Sequence, residues 1–316
     1  MTLYSVSANP APSGFITDFV EGVDNIPLRY AHWKSTGERH AGTVCLFGGR
    51  AEFIEKYYEV IAELRRRGFA VATFDWRGQG GSGRLLRNAR KGHVLDFADY
   101  IEDLKIFMKS IVLPDCPPPY FALAHSAGGN ILLRAATARN CWFERIVLCS
   151  PLVRLAQGTL PVNTDTAMVI LGFLKTLGFS ASYVPGSKRN EAWESEPFED
   201  NKLTSDLHRF QKTQHILKEA PELGLGSPTV GWLYAALTSM ALVNSNDFPA
   251  MVQVPILMIG AGSDRLVSTP AIEALALKLK VGSYITIPNA RHEILQERDE
   301  LRLQFWSAFD AFIPGT

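Results

Sequence analysis

A doubly wound, mostly parallel α/β sheet with an N-terminal antiparallel hairpin and an inserted helical cap is the fold class that this sequence predicts. Three observations carry it. Short apolar runs rich in β-branched residues recur along the chain, and stretches of helical spacing separate them. One interval, residues 152–250, interrupts the alternation without any strand-like run.

Taken in order, "GFITDF" and "IPLRYAHW" flank "VEGVDN", whose Gly, Asp and Asn form turns, so the pair reads as an antiparallel hairpin. Then "TVCLFGG" and "AVATFDW" enclose "FIEKYYEVIAELRRRG", a helical pattern ending at Gly68, and the three form one βαβ unit. Arg65, Arg66 and Arg67 occupy the last turn of that helix, where cations complement the dipole, and are expected to form a solvated face rather than a nucleic-acid site. In "DFADYIEDLKIFMKSIV", Phe97, Tyr100, Ile101, Leu104, Met108 and Ile111 share one helical face, and Asp96 is placed to cap its start. The strand "YFALAH" follows, then the helix "NILLRAATAR" and the strands "RIVLCSP", "PILMIGAG" and "SYITIPN". An amphipathic helix through Leu301, Phe305 and Phe309 closes the chain.

The division that results is a core of residues 1–151 and 251–316 with the helical cap, 152–250, inserted between its two parts. Of the 316 residues, 47% are hydrophobic, enough for a sizeable core, and only the leader up to Ser13 is expected to be loose. Thirty-two basic residues balance 32 acidic ones, so charge gives no reason to expect a nucleic acid or an anionic membrane as partner. Cys45, Cys116, Cys141 and Cys149 lack metal or C-x-x-C spacing and read as reduced thiols. With no signal-like start and no run of about 18 apolar residues, a cytoplasmic protein is expected, a peripheral visit to membranes staying open.

The chemistry centres on "YFALAHSAGGN", where Ser126 stands between an apolar strand and a helix, the place where a sharp turn lifts a hydroxyl above a sheet. Such a turn requires small residues two before and two after the serine, and Ala124 and Gly128 are small. Small-x-Ser-x-Gly alone is also ordinary strand-to-helix packing, so its partners decide. A serine hydroxyl needs a histidine to take its proton, and that histidine needs an acid to hold its tautomer. Asp264 in "GAGSDRLVS" and His292 in "NARHEIL" each follow a strand, at the sheet edge where active-site loops gather. Each alone reads equally as a loop residue; together, in the order Ser126, Asp264, His292, they have the chain order of the α/β-hydrolase layout.

His125 adjoins the serine and cannot swing back to it, His208 and His215 lie in the cap, and His32, His40 and His93 precede the turn. For the oxyanion, the residue after the nucleophile, Ala127, supplies one backbone N–H. The second falls to Arg50 in "LFGGRAEF", with Gly49 as the neighbouring alternative. Gly78, Gly80 and Gly83 spell G-x-G-x-x-G after a strand, but the irregular "RLLRNARKGHV" follows, and Asp99 and Asp103, near the required distance, lie on a helix. A dinucleotide site is therefore not expected.

These motifs resemble the bacterial lysophospholipase branch of the monoacylglycerol lipase-like serine hydrolases over nearly the whole chain. "GGRAEFIEKY" is similar to that family's oxyanion loop, "FDWRGQGGSGR" with "KGHVLDFADYIEDL" to the stretch after its next strand, and "LAHSAGG" to its nucleophile turn. "SDRLV" and "NARHEIL" are similar to its acid and base loops; "NKLTSDLHRF" and "LGSPTVGWL" resemble pieces of its cap. The resemblance implies Ser126 as nucleophile, Asp264 and His292 as its partners, and Arg50 and Ala127 as oxyanion donors. Ala124 departs from the family's glycine and Ala127 from its common methionine, which would widen the pocket floor.

The expected activity is carboxylic-ester hydrolysis through an acyl-enzyme, on lysophospholipids or monoacylglycerols, with no metal or organic cofactor. A small-ester esterase, haloperoxidase or carbon–carbon hydrolase chemistry on the same fold, and a non-catalytic ligand-binding protein are the alternatives. The cap run "AMVILGFLKTLGF" is explained either by core packing or by a face that lines an acyl channel and brushes lipid.

Overall fold

A computed structural model describes residues 3–37, 40–187 and 197–315. Eight strands form one sheet: β1 (Phe15–Glu21), β2 (Pro27–Trp33), β3 (Thr43–Phe47), β4 (Ala70–Phe74), β5 (Tyr120–His125), β6 (Arg145–Cys149), β7 (Ile256–Ala261) and β8 (Gly282–Ile287). Their spatial order is β1-β2-β4-β3-β5-β6-β7-β8. β1 pairs antiparallel with β2 and β2 with β4, and every later pairing is parallel, as the alternation of runs and helices predicts.

The parallel strands are apolar on both faces because helices cover both. On one side pack α1 (Tyr58–Arg66) and α8 (Asp299–Phe312), where Phe69 lies edge-on to Phe121 and Phe309. On the other pack α2 (Ala98–Phe107), α3 (Ser126–Ala135) and α7 (Thr269–Ala276), around Phe47, Phe74, Trp76 and Phe107. Between β6 and β7 run α4 (Thr164–Thr176), α5 (Leu207–Glu219) and α6 (Val230–Val243), and no strand occurs there among the described residues. Residues 188–196 of the expected cap lie outside them. No helix among the described residues is long and apolar enough to cross a membrane.

Two expectations need correction. From Leu3 onward the leader is packed rather than loose: Leu3 is buried, Tyr58 Oη donates to the Tyr4 carbonyl at 2.7 Å, and Asn9 Nδ2 donates to the Glu55 carbonyl at 2.8 Å. Arg65 is the reason the solvated-face reading fails at one of its three positions. It is 8% exposed and donates to the carbonyls of Lys34 at 2.7 Å and Ser13 at 2.9 Å, so its cation anchors the leader. Arg66 stays exposed beside Glu63, and Arg67 pairs with Asp310 while stacking 4.0 Å from the Trp306 ring.

The glycine-rich loop after β4 has a structural task. Arg29 bridges Asp75 (Nε to Oδ2, 2.8 Å) and Glu55 (Nη1 to Oε1, 2.7 Å), and all three side chains are buried. A Cβ at Gly80 would collide with the Asp75 carboxylate and one at Gly81 with the Arg29 side chain, while Gly81 N–H donates to Asp75 Oδ2 at 2.7 Å. The loop wraps an ion cluster closely, which explains its glycines without a phosphate.

Candidate active site

Ser126 is set by the strand that precedes it. β5 lies between β3 and β6, with Ala124 opposite Phe47 on one side and Leu148 on the other, and the chain turns into α3 directly at Ser126. The turn forces Ser126 to a φ of 49°, a left-handed conformation that costs a non-glycine residue about 1–3 kcal/mol and is held by its surroundings. Leu152 N–H donates to the Ser126 carbonyl at 2.9 Å, and Asn130 Nδ2 fixes the Leu152 carbonyl at 2.8 Å.

Gly128 shows why the motif ends in glycine. A Cβ there would sit 2.5 Å from the Gly48 carbonyl oxygen and 3.0 Å from that of Phe47, so the loop after β3 lies against the first turn of α3. Ala124, by contrast, is an ordinary buried core methyl. The one-methyl departure is absorbed in the core.

The acid and base loops leave β7 and β8 and are tied together. Gly262 N–H donates to the Ile287 carbonyl at 2.9 Å and Ser263 N–H to that of Ala290 at 2.8 Å. This brings Asp264 Oδ2 to 2.8 Å from His292 Nδ1, and His292 Nε2 to 2.9 Å from Ser126 Oγ. The other Asp264 oxygen accepts the N–H groups of Leu266 at 2.8 Å and Val267 at 3.0 Å. Burial opposes the charge of Asp264, but His292 and those two N–H groups outweigh it and hold the carboxyl below its ordinary range. A carboxylate that only accepts makes His292 the Nδ1–H tautomer, leaving Nε2 free to accept from the serine.

In the loop after β3, Gly49 N–H donates to Glu52 Oε2. The Gly49 N–H is thus engaged within its own loop. Arg50 follows it, its guanidinium donating to the Gly226 carbonyl and lying 5.4 Å from the Trp232 ring centroid, which ties this loop to α6. Ala127 lies at the start of α3.

Ser126, Ala127, Arg50 and His292 all line one cavity of about 540 Å³, whose wall is mostly aliphatic. Leu155, Leu160, Val184, Trp232, Leu233 and Met240 contribute from the segment between β6 and β7. Two of the other histidines bond elsewhere: His93 to Thr229 at 2.8 Å and His40 to Ser35 at 3.1 Å. His125 makes contacts that its sequence position alone does not disclose: its Nε2 lies 3.1 Å from the His292 carbonyl oxygen and its Nδ1 3.0 Å from Glu52 Oε1.

Comparison with known proteins agrees with this architecture. Residues 38–299 match the hydrolase family model described as Serine aminopeptidase, S33. Lysophospholipase L2 of Escherichia coli (strain K12) is 30% identical over 291 residues, covering 89% of this chain and 82% of that protein. The probable lysophospholipase L2 of Haemophilus influenzae is 27% identical, covering 95% and 92%. A soluble variant of monoglyceride lipase from Saccharomyces cerevisiae, solved with a substrate analog, superposes with a TM-score of 0.75 at 17% identity over 99% of this chain and 100% of that one. With its eight-stranded sheet and a family match spanning most of its length, this chain is an α/β-hydrolase and belongs to the Serine aminopeptidase, S33 family of hydrolases.

Proposed function

We propose that this protein hydrolyses carboxylic esters of lysophospholipids or monoacylglycerols through an acyl-enzyme, with Ser126 as nucleophile, His292 as base and Asp264 as its orienting acid. The observation that carries the reading is the continuous hydrogen-bonded relay from Ser126 Oγ through His292 to Asp264 at an apolar cavity. The names of the relatives, lysophospholipase and monoglyceride lipase, point to the same substrate class.

As Ser126 Oγ adds to the ester carbonyl carbon, His292 Nε2 takes the hydroxyl proton and Asp264 stabilises the resulting imidazolium. The backbone N–H groups of Arg50 and Ala127 receive the oxyanion, a reading supported by the engagement of Gly49 N–H elsewhere. The carbon–oxygen bond to the alcohol then breaks, and the proton on Nε2 passes to the leaving alkoxide. Water repeats the sequence on the acyl-serine, giving a fatty acid and restoring Ser126. A lipid acyl chain is the ligand an aliphatic wall of this kind favours.

Residues 152–250 act in this reading as the cap. Its helix α4 buries Ala167 and Leu171 but leaves Val169 73% and Phe173 63% exposed, four positions apart on one face, and the residue that caps its C-terminus, Leu177, is 54% exposed. Of the two explanations of the run "AMVILGFLKTLGF", core packing is supported by Ala167 and Leu171 and contact with lipid by the exposed face, while none of its residues is among those that line the cavity. An exposed apolar stripe on this helix suits a peripheral visit to a lipid surface, where such substrates reside.

A chain-length series of p-nitrophenyl esters, monoacylglycerols and lysophospholipids tests the assignment. Lipid hydrolysis by the wild type, lost in Ser126→Ala, is expected. Turnover confined to acetyl and butyryl esters would replace it with a small-ester esterase, and inertness to every ester and to a fluorophosphonate would leave a binding protein.

A further inference from the structure

A second buried ionic chain runs beside the relay. His125 is 3% exposed, and its ring centroid lies 4.7 Å from that of His292. Its Nδ1 faces both Glu52 oxygens, at 3.0 and 3.1 Å, and its Nε2 faces the His292 carbonyl oxygen at 3.1 Å. A carbonyl can only accept. Glu52 is itself surrounded by donors: Gly49 N–H, Tyr57 Oη at 2.6 Å and the Lys56 ammonium at 3.6 Å. An imidazole set between a carbonyl and an ionised carboxylate has work for two N–H groups and none for a lone pair.

We infer that His125 is a positioning residue, held as an imidazolium, which with the Glu52 carboxylate clamps the oxyanion loop and the base loop onto the nucleophile turn. The clamp has a contact on each of the three loops. Glu52 grips the backbone of Gly49, the residue before the assigned oxyanion donor, and a Cβ on Gly49 would lie 3.0 Å from the Ser126 Cβ and 3.2 Å from His125 Nδ1. The His292 carbonyl is held by the other ring nitrogen, Nε2, so the base loop and the oxyanion loop share one anchor. Lys56 extends the chain by pairing with Glu293, next to the base, at 2.6 Å.

The charged groups around His125 are Glu52, Glu293 and Lys56, with the His292 imidazole, the Tyr57 hydroxyl and the Cys149 thiol as further titratable groups in the cluster. Burial opposes a cation at His125, but Glu52, Glu293 and the His292 carbonyl outweigh it and raise the imidazole above its ordinary range. Burial likewise opposes the charge of Glu52, and His125 and Lys56 outweigh it and hold the carboxyl well below the usual range.

The inference rests on the esterase reading for its kinetic consequence, but not for the charge state. In the full-length protein labelled with ¹⁵N-histidine, the His125 ring, identified by its through-space contact with His292, should keep both N–H groups at neutral pH and above the ordinary imidazole pKa. Loss of either proton near neutral pH would overturn the inference. His125→Asn should lower kcat by about tenfold to a hundredfold with KM within about twofold, less than deletion of an oxyanion donor. A folded variant with unchanged kcat, or with its loss in KM alone, would also overturn it. Should His125→Asn fail to fold, Glu52→Gln, which keeps the shape and removes the charge, carries the same kinetic test. Fluorophosphonate labelling of the wild type separates the two readings: a labelled enzyme with a neutral His125 sinks this inference alone, and an unlabelled protein with a doubly protonated His125 sinks the esterase reading alone.

Discussion

His292 Nε2 lies 2.9 Å from Ser126 Oγ, although 166 positions separate them in the chain. Only the parallel sheet, which sends β5 and β8 to one edge, brings the two within reach. Ser126→Ala, Asp264→Asn and His292→Ala should therefore each lower kcat/KM for a p-nitrophenyl ester by about a thousandfold or more while leaving circular dichroism unchanged. Residual hydrolysis near the wild-type rate in any folded variant would remove that residue from the mechanism.

A second expectation concerns the two small residues around the serine. Gly128→Ala places a methyl 2.5 Å from the Gly48 carbonyl oxygen, so the loop after β3 must move away from α3. Activity should fall by about tenfold to a hundredfold through the oxyanion geometry, with a loss of stability of about 1–3 kcal/mol. Ala124→Gly removes a methyl from a close-packed strand and should cost about 1 kcal/mol, with activity retained. Urea melts and kcat measured on the same preparations distinguish the two positions. Equal effects at both would mean that the glycine at 128 has no special contact.

The site and its surroundings differ in what the sequence discloses and what it withholds. Ser126, Asp264 and His292 are legible because each follows an apolar run, and a strand-end position is a local property. The role of the glycine-rich loop is not, since Gly80 and Gly81 owe their identity to Asp75 and to an arginine on another strand, Arg29. Arg65 misleads for a related reason. Its position in the helix marks it as a dipole cation, whereas its carbonyl partners, Lys34 and Ser13, come from segments remote in sequence. His125 is dismissed as a base on sound geometric grounds, yet its contacts with Glu52 and the His292 carbonyl arise only when three loops meet.

The exposed face of α4 gives a third prediction. Phe173→Ser and Val169→Ser remove apolar area that is already in water, so stability should change by less than about 0.5 kcal/mol. Cosedimentation with phosphatidylcholine vesicles should weaken, by roughly tenfold for the double variant, while kcat on a soluble butyryl ester stays within about twofold. Unchanged vesicle binding would assign the stripe to some other contact.

The pH dependence of stability should report a clamp remote from the chemistry. Glu59 on α1 accepts from Arg209 of α5 at 2.6 and 3.0 Å and from Arg302 of α8 at 2.6 Å, joining the inserted segment to the core. Burial opposes its charge, but Arg209, Arg302 and Lys212 outweigh that and hold its carboxyl at about 2, against an ordinary value of 4.5. A depressed carboxyl pKa means that the folded state binds fewer protons than the unfolded chain. The stabilisation is thus complete above about pH 4.5 and disappears as the pH falls toward about 2. Because the cluster is partly solvated, Glu59→Gln should destabilise by only about 1–2 kcal/mol at pH 7. The gap between variant and wild type in urea melts should close as the pH is lowered through that window, whereas a gap that stays constant would mean that Glu59 contributes packing rather than charge.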